Sequence, residues 1–484
     1  MHTILAFDLG ATSARGIVYR LDNCTLQEIE VYRFTGYQLV NQEQGEIRWD
    51  IDMIMNEIRT IIRMASTTYF IESIGFDSWG CDFGLINGAG ELIRTPLCYQ
   101  TMLQEKNLHY GMKLPDQFRQ RTGIANASIN TSSQLLYLKN NDPESLQEAE
   151  HLLMIPDLIH YLLTGSILTE SSIASTSQLF DIKQQQWALD LIAEMDIPTK
   201  LFSTIVLPYT RVGTVKTGEH HIPIHSVMEH DTASAIYALP TNDHTSFFLS
   251  SGTWSVLGQK AESGLILRHP LEANYSYEQA GDGKILKLQN MLGMWFIEEA
   301  LREVNQTKSI SIQEVQRLLE NEPPIGFFFD SQDDRFLSKG QFGSALRTYG
   351  KQHNLPLLDS TARLFLAIYQ NLAFKYAATF ADLIGENSKP IYLFGGGSKS
   401  DFLNQLTADL TQCTIAVCYS ESSALGNALA QFLALKAIRT REELVLLVTA
   451  SHPPTYFIPR RNQAYEQAYQ CYQESLKELS AKNI

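Results

Sequence analysis

Two small-residue turns separated by half the chain set the tightest limit on what this sequence can fold into. The apolar run Ile4-Leu5-Ala6-Phe7 ends in Asp8-Leu9-Gly10-Ala11-Thr12-Ser13-Ala14-Arg15 and resumes as Gly16-Ile17-Val18-Tyr19. That grammar predicts a strand, a turn and a second strand. It recurs where Thr245-Ser246-Phe247-Phe248-Leu249 leads into Ser250-Ser251-Gly252-Thr253-Trp254-Ser255 and then Val256-Leu257-Gly258. Gly10 and Gly252 stand 242 residues apart in a chain of 484, so two related halves with the same opening are expected. Single cores stop growing at about 250–300 residues, which also favours two domains. The boundary is expected near Leu239 to His244, at the polar Pro240-Thr241-Asn242-Asp243, giving domains of residues 1–243 and 244–484.

A turn of Gly, Ser and Thr exposes backbone N–H groups and hydroxyls in a concavity that accepts phosphate oxygens. A plain β-hairpin uses the same residues. The repeat at half-chain spacing is what favours a shared role, two turns gripping one polyphosphate. A third element, Ile391-Tyr392-Leu393-Phe394 followed by Gly395-Gly396-Gly397-Ser398-Lys399-Ser400-Asp401, predicts a strand, a glycine turn and a helix through Leu410. Bare backbone at a helix N-terminus suits a phosphate or a flat ligand, and Ser398 or Ser400 can cap the helix. The spacing matches neither a P-loop nor the dinucleotide fingerprint.

Chemistry is expected first from Val227-Met228-Glu229-His230-Asp231-Thr232-Ala233-Ser234-Ala235, which sets Asp231 at a helix start. It can cap the helix there, or act as the carboxylate base that takes the hydroxyl proton in phosphoryl transfer to an alcohol. The histidines His220, His221, His225 and His230 lack the spacing of a zinc site. The stretch from Ile74 to Leu85, with Asp77-Ser78-Trp79-Gly80-Cys81-Asp82, reads either as a strand edge with a packed Trp or as a sugar-binding wall of aromatic plane and carboxylates.

Composition narrows the partners. With 38 Lys+Arg against 53 Asp+Glu, the net charge is −15 and no dense basic run appears, which argues against nucleic acid and anionic membranes. The N-terminal residues lack a basic n-region and meet Asp8 early, so no signal peptide is expected. No apolar run reaches the ~18–20 residues of a membrane span; the stretch from Leu429 to Ile438 contains Lys436 and reads as a core helix. Six scattered cysteines without a C-x-x-C pair suit reduced, cytoplasmic thiols, with Cys413 and Cys418 expected as buried thiols close enough to meet. Tyr465, Ala468, Tyr469, Tyr472, Leu476 and Leu479 predict an amphipathic terminal helix packed on its own domain. A homo-oligomer is left open.

Taken in order, these elements resemble the FGGY carbohydrate kinases of the actin-like, ribonuclease-H-like ATPase superfamily, over nearly the whole chain. Arg48-Trp49-Asp50, Asn290-Met291-Leu292-Gly293-Met294-Trp295 and Asp333-Asp334-Arg335-Phe336 add to the match, and the rhamnulokinase branch is the most similar. The resemblance implies an α/β fold of two ribonuclease-H-like domains with a cleft between them. It implies an ATP- and Mg²⁺-dependent kinase acting on a small sugar, with the sugar and the base in the first domain and the nucleotide in the second.

Residue by residue, it implies Asp231 as the base. Asp8, Gly10, Ala11, Thr12, Ser13, Ala14, Arg15, Gly252, Thr253, Glu298, Gly395, Gly396, Gly397 and Asn404 are implied around ATP. Trp79, Gly80, Asp82, His230, Thr232 and Asn290 are implied around the sugar, and Asp8 and Asp231 near Mg²⁺, directly or through water. Three positions depart from the pattern. Pro96-Leu97-Cys98-Tyr99 leads to Gln100-Thr101-Met102 where rhamnulokinases carry Arg-Asp and another Arg; Glu298 stands for Gln, and Ser400 for Asn. The first departure leaves L-rhamnulose, L-fuculose, L-ribulose, xylulose, glycerol and a signalling furanone as candidate acceptors. A sugar sensor that transfers no phosphate and an actin- or chaperone-like ATPase are the readings outside sugar kinases.

Overall fold

The structure, a computed structural model, describes all residues except 23–24, 41–44, 113, 264–271, 273–274, 321, 330–335, 337–340, 385–388 and 483–484. Asp333, Asp334 and Arg335 of the sequence motif and Cys24 lie outside the described residues. Two compact units result: Met1–Thr245 with Lys260–Lys287 and Glu421–Pro453, and Ser246–Gln259 with Leu288–Ser420 and Pro454–Ile484.

The first unit is built on strands β1 (His2–Leu9), β2 (Ser13–Asp22), β3 (Thr25–Thr35), β4 (Ile74–Ser78), β5 (Arg211–Thr217) and β6 (His220–His225), in the order β5-β6-β4-β1-β2-β3. β1 and β2 are antiparallel, and β4 runs parallel to β1. β1 and β4 are buried on nearly every position because both faces are covered, as in the central strands of a layered α/β sheet. The helix Ile51–Thr68 turns Ile51, Ile54, Met55, Ile58, Ile61, Ile62 and Ala65 inward, a helical repeat, and Asp50 caps it by accepting from Met53 N at 2.9 Å.

The helix Ser422–Ala434 also belongs to this unit and lies on the sheet by a polar face. Asn427 Nδ2 donates to Phe7 O at 3.1 Å and to Asp77 Oδ2 at 2.8 Å, and Gln431 Nε2 donates to Leu5 O at 3.2 Å. Gly75 makes room for this, since a Cβ there would stand 2.6 Å from Asn427 Oδ1.

The second unit contains β7 (Phe247–Ser251), β8 (Trp254–Glu262), β9 (Lys284–Leu292), β10 (Ile391–Phe394), β11 (Ile415–Val417) and β12 (Thr455–Phe457), in the order β9-β8-β7-β10-β11-β12. Its core gathers Phe247, Leu249, Phe296, Phe327, Phe342, Phe365, Tyr369, Tyr376 and Phe380, all at most 2 % exposed, many of them on the helix Thr361–Ile384. The C-terminal helix Gln463–Lys482 packs here as expected: Tyr472 meets Phe374 at 5.3 Å and Phe328 at 5.9 Å between ring centroids. Among the described residues, no helix is long and apolar enough to cross a membrane. Cys413 is buried and Cys418 partly exposed, both free thiols.

Both predicted hairpins form, with tighter turns than the sequence suggested. The ladder between β1 and β2 continues through Asp8↔Arg15 and Leu9↔Ala14, leaving Gly10, Ala11 and Thr12 as the turn. Gly10 N donates to Ser13 O at 3.1 Å, and Gly252 N donates to Trp254 O at 3.1 Å in the second hairpin.

Candidate active site

In the first unit the parallel register sets Asp8 of β1 opposite Asp77 of β4, at strand ends. The segment before the helix Asp231–Tyr237 runs beside the end of β4: Ser78 N donates to Glu229 O at 2.9 Å, and Ser78 pairs with His230. Asp231 is the first helical residue and His230 the cap residue, so the helix N-terminus favours a negative charge at this point.

Three carboxylates and one guanidinium dominate the electrostatics. Arg15 donates to Asp8 Oδ2 from Nε at 2.9 Å and from Nη2 at 2.7 Å, and also pairs with Glu421. Burial lifts Asp8 above the usual carboxylate range while Arg15 pulls it down; burial lifts Asp77 further, with the charge of Asp8 adding to it. Burial raises Asp231 too, opposed by His230 and by hydrogen bonds from Thr232, whose Oγ1 donates to Asp231 Oδ1 at 3.2 Å. Asp77 Oδ1 is buried and accepts no hydrogen bond.

The aromatic wall takes a different form from the one expected. Trp79 is 6 % exposed, lying 4.1 Å from Trp49 and 6.4 Å from Tyr37 between ring centroids. Asp82 has no exposed surface. Its oxygens accept from Trp49 Nε1 at 2.7 Å, Trp79 Nε1 at 3.0 Å, Gln134 Nε2 at 2.7 Å and Tyr99 N at 3.2 Å. The expectation that this carboxylate faces a sugar is corrected: its lone pairs hold the two indoles. Gly80 is required by packing, because a Cβ would stand 2.9 Å from Thr176.

Burial pushes the Asp82 carboxyl up to about 7 against the pull of those four donors. The folded chain therefore retains a proton that the unfolded chain releases near pH 4, and this contribution to stability is lost as pH rises from about 4 to about 7. Asp82→Asn is expected to flatten that part of the stability profile. Asp82→Ala takes the acceptor from Trp49 Nε1, Trp79 Nε1 and Tyr99 N, while Gln134 Nε2 keeps the Ile129 carbonyl, and at about 1–3 kcal/mol for each unpaired donor a loss of about 3 kcal/mol or more is expected. Thermal melts from pH 4 to 8, with tryptophan fluorescence, check both; an alanine variant as stable as the parent contradicts the assignment.

The other candidates lie as follows. Thr12 is exposed at the first turn, whose Gly10 carbonyl accepts from Tyr37 Oη and whose Ala11 carbonyl accepts from Gln38 Nε2 at 3.3 Å. In the second unit Thr253 is exposed on its turn, Asn290 is exposed on β9, and Glu298 is exposed in the first turn of the helix Trp295–Val304. Gly395 has φ +86°, and a Cβ on Gly397 would stand 2.0 Å from Ser251 Oγ, so the glycine turn lies directly against β7. Ser400 caps the helix Asp401–Thr411, accepting from Leu403 N. Asn404 is buried and donates to Ser398 O at 3.0 Å, stabilising the turn.

His220 and His221 are exposed, and His225 Nδ1 lies 2.9 Å from Ser73 Oγ. Asp77, which the sequence offered as one of the carboxylates of a sugar-binding wall, lies opposite Asp8 at the strand ends. Glu278, whose Oε2 lies 3.1 Å from His230 Nδ1, had no local signal.

The N-terminal domain of the FGGY family of carbohydrate kinases matches residues 3–235, and its C-terminal domain residues 247–435. The chain is 34% identical to the rhamnulokinase of Enterococcus faecalis over 449 residues, 89% of each chain. It is 32% identical to that of Pectobacterium carotovorum over 469 residues, 94% of this chain and 93% of the relative. Among solved structures it resembles ligand-bound xylulose kinase from Lactobacillus acidophilus, with a TM-score of 0.80 and 18% identity over 99% of both chains. That likeness bears out the two-domain, actin-like α/β fold. With both family domains matched in order and acidic strand ends beside Asp231, this chain belongs to the FGGY carbohydrate kinases, a family of phosphotransferases.

Proposed function

We propose that the chain transfers the γ-phosphate of ATP to the primary hydroxyl of a ketose, in the manner of rhamnulokinases, making L-rhamnulose 1-phosphate from L-rhamnulose. The observation that carries this reading is the position of Asp231, a carboxylate at a helix start beside the acidic ends of β1 and β4, in a chain about a third identical to two rhamnulokinases. Asp231 takes the proton of the acceptor hydroxyl. Burial raises its pKa and so strengthens it as a base, while His230 and Thr232 hold it ionised.

Trp79, Gly80, His230, Thr232 and Asn290 bind the sugar, with Asp82 holding Trp79 in place. Residues 1–243 carry the sugar site and the base, and residues 244–484 the nucleotide site. Gly10 to Arg15, Gly252 and Thr253 contact phosphates, while the Gly395 to Gly397 turn, with Glu298 and Asn404, serves the nucleoside.

FGGY kinases use ATP, and Asp8, Asp77 and Asp231 gather negative charge in the first unit that a divalent cation would offset. Asp77 Oδ1 is buried without a donor, Asp231 repels Asp8, and both repel Asp77. Asp8 and Asp231 would hold Mg²⁺, directly or through water, with Asp77 behind them. When bound, the ion supplies neutralisation of phosphate charge.

The sugar itself is tested by ADP release from Mg²⁺–ATP with L-rhamnulose, L-fuculose, L-ribulose, D-xylulose and glycerol, against a control without sugar. L-Rhamnulose is expected to stimulate release at least tenfold over that control, on the scale that correct positioning of an acceptor brings. A different acceptor is favoured by one observation: Thr101 Oγ1 lies in hydrogen bonds with Ile47 N at 2.7 Å and Ile47 O at 2.9 Å, in the segment where rhamnulokinases carry charged groups. If another sugar of the panel stimulates instead, the acceptor is that sugar. If none does, the transfer reading fails.

A further inference from the structure

His230 stands between two carboxylates. Its Nδ1 lies 3.1 Å from Glu278 Oε2 and its Nε2 lies 3.4 Å from Asp231 Oδ1. The His230 and Glu278 side chains are 12 % and 8 % exposed, so water competes little for either. Both partners are acceptors, so the ring meets both only with a proton on each nitrogen, as an imidazolium, and Glu278 holds it from the nitrogen opposite the one that faces Asp231.

The arrangement is built by the backbone rather than by chance rotamers. One short helix, Ser171–Ser175, anchors both segments: Ser172 Oγ accepts from His230 N at 3.2 Å, and Ser175 Oγ accepts from Gln279 N at 2.9 Å. Tyr277 N donates to Gly123 O at 3.0 Å, pinning the strand Ser276–Gln279 from its other end. The two serines are three residues apart, on one face of that helix. The spacing between Glu278 and His230 is thus set by the same element that sets the approach to Asp231.

We propose that Glu278 is a positioning residue for phosphoryl transfer, acting through His230 to aim the Asp231 carboxylate at the acceptor hydroxyl. This rests on the reading of Asp231 as the base. Without an acceptor on Nδ1 the ring is free to turn, and Asp231 loses the partner that fixes its direction.

The test uses the full-length protein and the sugar that stimulates ADP release. Glu278→Leu keeps the approximate volume and removes the acceptor; Glu278→Gln keeps an acceptor oxygen. The leucine variant is expected to lose about 10–100-fold in kcat, the scale on which a partner orienting a working imidazole acts. The glutamine variant is expected to recover most of that loss. In a His230→Asn background, Glu278→Leu should cost less than about twofold more, because residues acting as a unit are not additive.

A merely structural Glu278 gives the same loss in both backgrounds, and that result overturns the proposal, as does a leucine variant with parental kcat. Melting curves on every variant restrict the comparison to folded protein, and Glu278→Gln carries the test alone if the leucine variant does not fold: parental kcat with glutamine and loss with Glu278→Ala then support it, and equal loss in both overturns it. A fully active Asp231→Asn variant removes the underlying base assignment instead, so the two failures are told apart.

Discussion

Asp231→Asn is expected to lower sugar-stimulated ADP release by about 10²–10⁴-fold, the range of a general base. Asparagine keeps the shape and the helix-start position but cannot accept the hydroxyl proton. The hydrogen bond from Thr232 Oγ1 at 3.2 Å can be kept by the amide oxygen, and the contact with His230 Nε2 at 3.4 Å remains within reach of the same atom. Local structure is therefore retained and the loss is chemical. Sugar binding, measured by calorimetry, should change by less than about threefold, since removing a group that acts only in the transition state leaves ground-state binding intact. Turnover within about threefold of the parent would sink the assignment of Asp231.

Gly426→Ala is expected to produce the largest structural effect of any single methyl added to the first unit. A Cβ at this position would stand 1.8 Å from Ser234 O and 2.6 Å from Ser234 C. The obstacle is backbone, so no side-chain rotation relieves it. The helices Ser422–Ala434 and Asp231–Tyr237 must separate, and the bond from Ser234 Oγ to Ser423 O at 2.8 Å that joins them is lost. Alanine gains about 1 kcal/mol of helix propensity over glycine, but overpacking of this kind costs about 3 kcal/mol or more. A fall in Tm of about 5–10 °C follows, at roughly 2–4 °C per kcal/mol for a unit of this size. Because the displaced helix begins with Asp231, kcat of the folded fraction should fall by about 10²-fold, the consequence of an ångström-scale misplacement. An unchanged melting temperature contradicts the packing described.

These two expectations differ in how they could have been found. Asp231 was legible because its neighbours follow a local rule: an apolar approach, a carboxylate, then small helix-forming residues. The demand for glycine at 426 had no such signal. It arises from Ser234, far away in the chain, and a glycine inside a helical run is otherwise only a weak helix former. Asp82 shows the opposite failure. A carboxylate beside an aromatic and small residues suggested a ligand wall, yet the residue is fully buried, because Trp49, Gln134 and Tyr99 arrive from other elements to use its oxygens.

By itself the sequence determined the elements that depend on neighbours in the chain. These are the two hairpins, whose small turns suit only tight reversals, the capped helix after the triple glycine, the helix start at Asp231, and the terminal helix. Tertiary structure alone decided which charged groups meet. Asp8 and Asp77 become neighbours through parallel strand register, Asn427 reaches Asp77 across 350 residues, and Glu278 reaches His230 from a separate strand. The physical reason is that periodicity and capping act over a few residues, whereas the pKa of a carboxylate and the direction it faces depend on burial and on partners brought close only when the sheet closes over its helices.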